Sequence, residues 1–419
     1  MSDWRLHTPI GLSDILPEEC EKKKEVENII NDVFVSMGYR EIETPAFEYY
    51  DVFSGGSGQI SQENMFKFFD EKGRILTLRP DITTSIARVA ATKLQDENLP
   101  IRLCYTGNVF RAEKTEGVRQ REFTQSGIEL LGSDTPNADA EVITAAIEAL
   151  FAVGISDFQV EIGQVAFFNG LVEQAGLSHE DTEKLRERIE CKDSLGIKEL
   201  TEKLHLTDEI KSLMIALPEL FGDLSVVDKA DVSGLNPISK AALDNIRSIY
   251  KLLESYGFSD VISIDLGMLQ SIDYYTGSIF KCYTHGVGFP VCAGGRYNNL
   301  VGKFGKSMSA VGVAFGINRI LSALRKIEDE NEEIANSVVF AKSGCDADAY
   351  IFAKNLRVSG FCCEQYIDGY DEKEAEKYAE KVGAPYFFKV GEDDYLSVKN
   401  LISGDYVETT VEAFLENFE

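Results

Sequence analysis

Residues 119–129 hold the densest chemistry in the chain. Alternate side chains of a strand share a face, so one face presents Arg119, Arg121, Phe123, Gln125, Gly127 and Glu129. Two guanidiniums, an amide and a carboxylate are unusual on a core face. Gly127 is equally odd on a plain solvent face, because it removes a side chain from the middle and lets something approach the backbone. Guanidiniums suit phosphate, whereas carboxylates and amides suit a cation. Two readings stay open: a polar ligand lying on the sheet, or an exposed face laced with cross-strand ion pairs.

Other groups could join such a site. Arg111 and Glu113 share one face of the preceding strand. In the corner Leu78-Arg79-Pro80-Asp81-Ile82-Thr83, Asp81 either caps the following helix or meets an ammonium. Further clusters are Gln270-Ser271-Ile272-Asp273-Tyr274-Tyr275, Ala293-Gly294-Gly295-Arg296-Tyr297, and Gly316 ahead of a helix carrying Arg319. Paired glycines before Arg296 suggest a loop close to a ligand, although two glycines in a turn are common. The Ser54-Gly55-Gly56-Ser57-Gly58 loop lacks the Gly-Lys-Ser/Thr ending of a phosphate loop.

The elements that must position these groups are legible in outline. Pro17 and the apolar spacing Val26, Ile29, Ile30, Val33, Phe34, Met37 predict a helix over 17–37 that stops at Gly38. A strand over 39–43, a strand over 74–78 and a helix over 81–94 follow. Strands near 101–113 and 119–131 make a hairpin. Helices are expected at 138–153, 238–256 and 317–333, and strands at 261–267, 272–283, 287–293 and 309–315. Residues 178–222 form a polar helical insertion. After an acidic run at 328–333, residues 336–419 alternate strand and helix on a small scale, with helices at 346–358 and 371–382. The expected class is α+β: a mostly antiparallel sheet with helices over 1–330, and a small α/β domain over 336–419.

Composition narrows the function classes. The 419 residues carry 42 Lys+Arg against 70 Asp+Glu, a net charge of −28. That charge opposes any polyanion, so nucleic acid is a poor partner. No apolar run reaches the roughly 18 residues of a membrane span. The N-terminus has no apolar signal region, which gives the expectation of a cytoplasmic protein. Eight cysteines without C-x-x-C spacing argue against zinc and disulfides.

Taken together, Gly11-x-x-Asp14-Ile15-Leu16-Pro17, Tyr39-Arg40-Glu41-Ile42-Glu43-Thr44-Pro45, Phe110-Arg111-Ala112-Glu113 through Arg121-Glu122-Phe123-x-Gln125, Asp273-Tyr274-Tyr275, Gly294-Gly295-Arg296-Tyr297 and the 312–319 stretch resemble class II aminoacyl-tRNA synthetases, specifically the histidyl-tRNA synthetase family. The resemblance spans most of the chain. It implies a class II synthetase-like antiparallel sheet and a reduced anticodon-binding-like tail. It further implies that Asp81, Thr83 and Gln125 fall where the family holds an α-ammonium, and that Glu129 and Tyr275, beside Tyr274, fall where it reads an imidazole. Arg111, Glu113, Arg119 and Arg319 fall where it holds ATP, and Gly294, Gly295 and Arg296 in a loop near the ligand. No metal or cofactor is implied.

Two departures bear on activity. Gln270 stands where the family's arginine holds the α-carboxylate against the α-phosphate. Losing one such donor typically costs about 3–4 kcal/mol, roughly 100- to 1000-fold in rate. Asp81 shortens the family's acid by one methylene. The tail adds a third: residues 336–419 hold 8 Lys+Arg and 17 Asp+Glu, too acidic for an anticodon grip. One branch of the family, the regulatory subunits of ATP phosphoribosyltransferase, fits these departures. That resemblance implies a non-catalytic chain that partners the short-form catalytic subunit, takes histidine as effector, forms a homodimer within a hetero-oligomer and binds no tRNA. The alternatives are an active histidyl-tRNA synthetase and an orphan histidine-binding paralogue.

Overall fold

The structure is a computed structural model, and it describes residues 4–54, 61–112, 120–204, 206–269, 274–327 and 337–416. Contacts divide the chain into two units, Met1–Ile327 and Glu328–Glu419.

The larger unit is built on a nine-stranded mixed sheet. In spatial order its strands are Arg40–Glu41, Ile101–Phe110, Glu122–Leu131, Ala310–Gly316, Cys292–Arg296, Ser278–Thr284, Phe158–Gln164, Ile262–Asp265 and Phe221–Gly222. The five central pairings, from 101–110 through 158–164, are all antiparallel. The strand 158–164, which sequence pattern did not single out, joins the middle of the sheet to its far edge.

Residues paired directly across strands share a face, so register sorts the sheet into two sides. One side carries Ile128, Leu130, Val311, Val313, Phe315, Phe280, Cys282, Val160 and Ile162, all in the main core. Helices Pro17–Ser36, Pro136–Ala152 and Pro237–Ser255 contribute Ile30, Phe34, Ile143, Ile147, Leu243 and Ile246 to that core. Each of these helices starts with proline, whose fixed φ suits the first helical position. The other side carries small or polar residues: Gln125, Gly127, Glu129, Gly312, Ala314, Ala293, Gly295, Lys281 and Glu161. Part of this second face is covered by a smaller apolar cluster, in which Ile82 and Ile86 at helix Thr83–Thr92 pack with Leu103, Tyr105 and Leu131.

The 178–222 insertion is helical, with His179–Glu190, Ser194–Lys203 and Asp208–Ala216. Its three helices start at side-chain caps from Ser178, Asp193 and Thr207. A small sheet of Phe47–Tyr49, Ile75–Leu78 and Lys67–Phe69 leaves Phe47, Phe69 and Ile75 exposed.

The second unit has a five-stranded sheet in the order Cys363–Gln365, Ser337–Ala341, Tyr386–Val390, Tyr395–Asn400, Tyr406–Thr410. Val339 and Ala341 pack with Phe352 and Leu356 of helix Asp346–Val358 on one face. Val338 and Phe340 pack with Ala375 and Ala379 of helix Glu372–Lys381 on the other. Among the described residues no helix is long and apolar enough to cross a membrane.

The structure moves two expectations, and the first is the strand expected over 272–283, which is Ser278–Thr284. The glycine pair and Arg296 lie in strand Cys292–Arg296, not in a loop, and that strand starts five residues later than the pattern suggested. Glycine forms ladder hydrogen bonds as any residue does. Here it is required by neighbours: a Cβ on Gly295 would stand 2.8 Å from the Tyr275 ring, and one on Gly294 2.7 Å from Phe280 Cζ.

Candidate functional site

The small-residue floor holds one deeply buried carboxylate. Glu129 is 1% exposed. Its Oε1 accepts from the Thr83 hydroxyl at 2.6 Å, and its Oε2 accepts from the Tyr297 hydroxyl. Gly312 lies directly opposite on the neighbouring strand, and a Cβ there would collide with the Glu129 carboxyl. The glycine thus makes the space in which the carboxylate sits.

No cation pairs with Glu129 among the described residues. Burial pushes its pKa up to about 8, nearby Asp81 adds to the rise, and the hydroxyls of Thr83, Tyr297 and Tyr105 offset part of it. The carboxyl is therefore poised to exchange a proton or to meet an N–H donor near neutrality.

Tyrosines enclose it. The Tyr274 ring lies 4.9 Å from Tyr275 and 5.9 Å from Tyr297, centroid to centroid. Burial and the charge of Glu129 raise the phenols of Tyr275 and Tyr297 well above the ordinary tyrosine range. Tyr105 sits beneath Gly127, where a Cβ would approach its hydroxyl to 2.6 Å. That hydroxyl is buried, points towards Thr83 and Glu129, and completes no well-formed hydrogen bond. The close approach that Gly127 permits is thus made by a tyrosine of the protein itself.

Asp81 caps helix Thr83–Thr92: its carboxylate accepts from the Thr84 backbone N–H at 2.8 Å and the Thr84 hydroxyl at 3.1 Å. Burial raises its pKa and Arg111 lowers it. Arg111 donates to the Pro80 carbonyl at 3.1 Å and lies 5.2 Å from the centroid of Phe123. Gln125 pairs across the ladder with Gly316, and the Arg319 stem runs over Gly316. The Arg319 guanidinium donates to the Pro290 carbonyl at 2.7 Å and lies 5.6 Å from the Phe289 centroid.

The structure therefore gathers Asp81, Thr83, Glu129, Tyr274 and Tyr275, with Arg111 beside Asp81 and Gln125 on the same floor. Gln270, Glu113 and Arg119 lie outside the described residues, as do Gly55–Gly58 of the glycine-rich loop. Arg296 is a correction. It is opposite Val311, on the helix-covered face and away from the floor. It is 5% exposed, bonds Asp139 and Asp134 at 3.0 Å each, and donates to the Ser133 carbonyl at 2.8 Å. Its guanidinium is used up in holding the sheet to helix Pro136–Ala152.

Three site residues went unassigned from sequence. Tyr297 stood within a noted cluster but carried no role. Tyr105 and Gly312 become visible only with register, which sets them opposite Gly127 and Glu129. The available signal was small-residue alternation, Gly312-x-Ala314-x-Gly316, on one strand face.

The histidyl-tRNA synthetase family model matches residues 11–320. The chain is 46% identical to an ATP phosphoribosyltransferase regulatory subunit of Acetivibrio thermocellus over 99% of this chain and 100% of the relative. It is 40% identical to that of Ruminiclostridium cellulolyticum over the full length of both. Among solved structures it is similar to an ATP phosphoribosyltransferase regulatory subunit/histidyl-tRNA synthetase from Bacillus halodurans. That match has a TM-score of 0.81 and 31% identity and covers 93% of this chain and 98% of that one. A histidyl-tRNA synthetase from Nostoc sp., at TM-score 0.82 and 24% identity over 99% of this chain and 98% of that one, shares the fold. With a class II synthetase-like sheet, a buried glutamate on the face opposite its main core and full-length identity of this order, the chain belongs to the family of ATP phosphoribosyltransferase regulatory subunits, a branch of the histidyl-tRNA synthetase family.

Proposed function

We propose that this regulatory chain binds free histidine at the Glu129 pocket and conveys it as feedback to a short-form ATP phosphoribosyltransferase catalytic subunit, at the first step of histidine biosynthesis. The observation that carries the reading is the buried Glu129, which has hydroxyl donors but no cation among the described residues. An imidazole N–H entering the tyrosine-walled pocket supplies the missing donor. Thr83 and Tyr297 hold the carboxylate in place, and the rings of Tyr274 and Tyr275 form the walls. Asp81 and Gln125 offer acceptors to the α-ammonium. Arg111 and Arg319 retain a place for phosphate, and any activating role is weakened by glutamine at position 270.

The proton balance follows. Near pH 7 Glu129 holds a proton and free histidine has a neutral ring, so the complex contains one proton shared between them. Above about pH 8 the empty pocket has lost that proton. Below about pH 6.5 the ligand brings a second one. Affinity is therefore flat between these limits and falls on both sides.

The exposed Trp4, Leu6, Ile10, Phe47 and Phe69 support self-association, in which a second copy of the chain would cover apolar surface. The acidic tail supports a protein partner over tRNA.

The test mixes the purified chain with a short-form catalytic subunit and follows phosphoribosyl transfer to ATP with and without histidine. Activity that requires the chain and is inhibited by histidine supports the proposal. Histidine-dependent exchange of pyrophosphate into ATP by the chain alone, at an enzyme's rate, overturns it in favour of the synthetase.

A further inference from the structure

The same sheet floor carries a second group of charges at its other end. The row that contains Glu129 runs through Gly312, Gly295 and Ile279 to Gly163. Beside it the row from Gly127 runs through Ala314 and Ala293 to Lys281 and Glu161. Three strand spacings, about 14–15 Å, separate the Glu129 strand from the Lys281 strand. There a cavity of about 430 Å³ opens against the end of helix His179–Glu190, lined by Glu161, Glu190, Lys192, Asp265, Lys281 and Tyr283 among others.

Three carboxylates and two ammoniums face this space. Lys281 is near enough to Glu161, Glu190 and Asp265 to lower each of their pKa values, and Lys192 acts likewise on Glu161 and Asp265. Yet none of the five closes an ion pair with another described residue. Asp265 is 8% exposed and accepts from the Gly267 backbone N–H at 2.8 Å, but closes no ion pair with a described residue. Ser263, directly across from Glu161, keeps a buried hydroxyl with no partner. Burial raises the Glu161, Glu190 and Asp265 carboxyls against the pull of the lysines.

We infer that this cavity is a second binding site, for a small zwitterion carrying one ammonium and one carboxylate, the chemistry of a free α-amino acid. Opposite charges that converge on a space without closing on each other leave room for a ligand that brings both signs. Glu161 and Asp265 take the ammonium; Lys281 and Lys192 take the carboxylate; Tyr283 borders the side chain. The volume lies in the range of small-molecule sites. Polyphosphates are disfavoured by three carboxylates, and polyamines by two lysines. Among the described residues no cluster has the spacing to hold a metal ion.

The inference is independent of the Glu129 reading, and the experiment separates the two. Saturation-transfer NMR is recorded on the full chain carrying Glu129→Gln, with a mixture of the proteinogenic L-amino acids as probe. At least one amino acid is expected to bind, and Lys281→Met or Glu161→Gln in the same background weakens it by about tenfold or more. Should one of those variants melt early, the other carries the test. Absence of any bound amino acid in the Glu129→Gln chain, or binding unchanged by both substitutions, overturns the inference. So does inorganic phosphate competing as strongly as the amino acid, which marks an anion site. Histidine bound to the wild type alone sinks this second site and leaves the first standing.

Discussion

Arg296 and Glu129 are both buried ionisable groups on neighbouring parts of one sheet, and they are solved in opposite ways. Arg296 faces the helix layer and spends its donors on Asp139, Asp134 and backbone carbonyls. Glu129 faces the other side, within a wall of tyrosines, and among the described residues it receives only neutral hydroxyls. The first arrangement is closed: charge is balanced and nothing more can be added. The second is incomplete, and burial without an opposing charge raises its pKa. Sequence type could not tell the two apart, since both are charged residues in glycine-containing strands. The face they occupy does.

The sharpest way to break the comparison is Arg296→Met. It strands the buried Asp139 carboxylate, so stability falls by about 3–5 kcal/mol, read from urea unfolding. Adding Asp139→Leu restores much of that loss, because removing both charges leaves no unpaired ion. If Arg296→Met costs no more than a surface substitution, the closed-cluster account is wrong.

Gly312→Ala comes next. The new Cβ lies 2.6 Å from the Ile128 carbonyl oxygen and 2.7 Å from Glu129 Cδ. A cost of about 1–3 kcal/mol is expected, with histidine binding lost. Retained binding would mean the carboxylate moves freely and is not held by the floor.

Glu129→Gln has the smallest effect on folding, and its sign depends on pH. A carboxyl whose folded pKa is raised favours the folded state at low pH. That advantage disappears as pH climbs from the ordinary glutamate value of 4.5 through about 8. The wild type therefore loses melting temperature across this window relative to Glu129→Gln. Parallel melting curves for the two chains would show that Glu129 is not buried uncharged.

Much of this was legible before the fold was known. Helix 346–358 follows its apolar spacing to the residue, and period two along 119–129 placed Gln125, Gly127 and Glu129 on one face. The cap reading of Asp81 rests on local geometry and needs no tertiary information. What could not be read depends on register between distant segments. Tyr105 opposite Gly127 and Gly312 opposite Glu129 are pairings across 22 and 183 residues of chain; the Gly312-x-Ala314-x-Gly316 alternation marks a small-residue face but not what lies across from it. Strand Tyr395–Asn400 was missed because Ser397, Lys399 and Asn400 interrupt its apolar signal, and strand Tyr406–Thr410 because most of it is exposed. Arg296 was drawn to the ligand by its glycine neighbours. In fact Gly295 serves the floor, through Tyr275, and Arg296 serves the opposite face.

Calorimetric titration of histidine into the wild type and Glu129→Gln at pH 7 tests the central claim most directly. The account predicts binding to the wild type and about 10- to 100-fold weaker binding to Glu129→Gln at an undiminished melting temperature, the loss expected for a charge-assisted hydrogen bond. Equal affinity for the two chains would contradict it and remove Glu129 from the site.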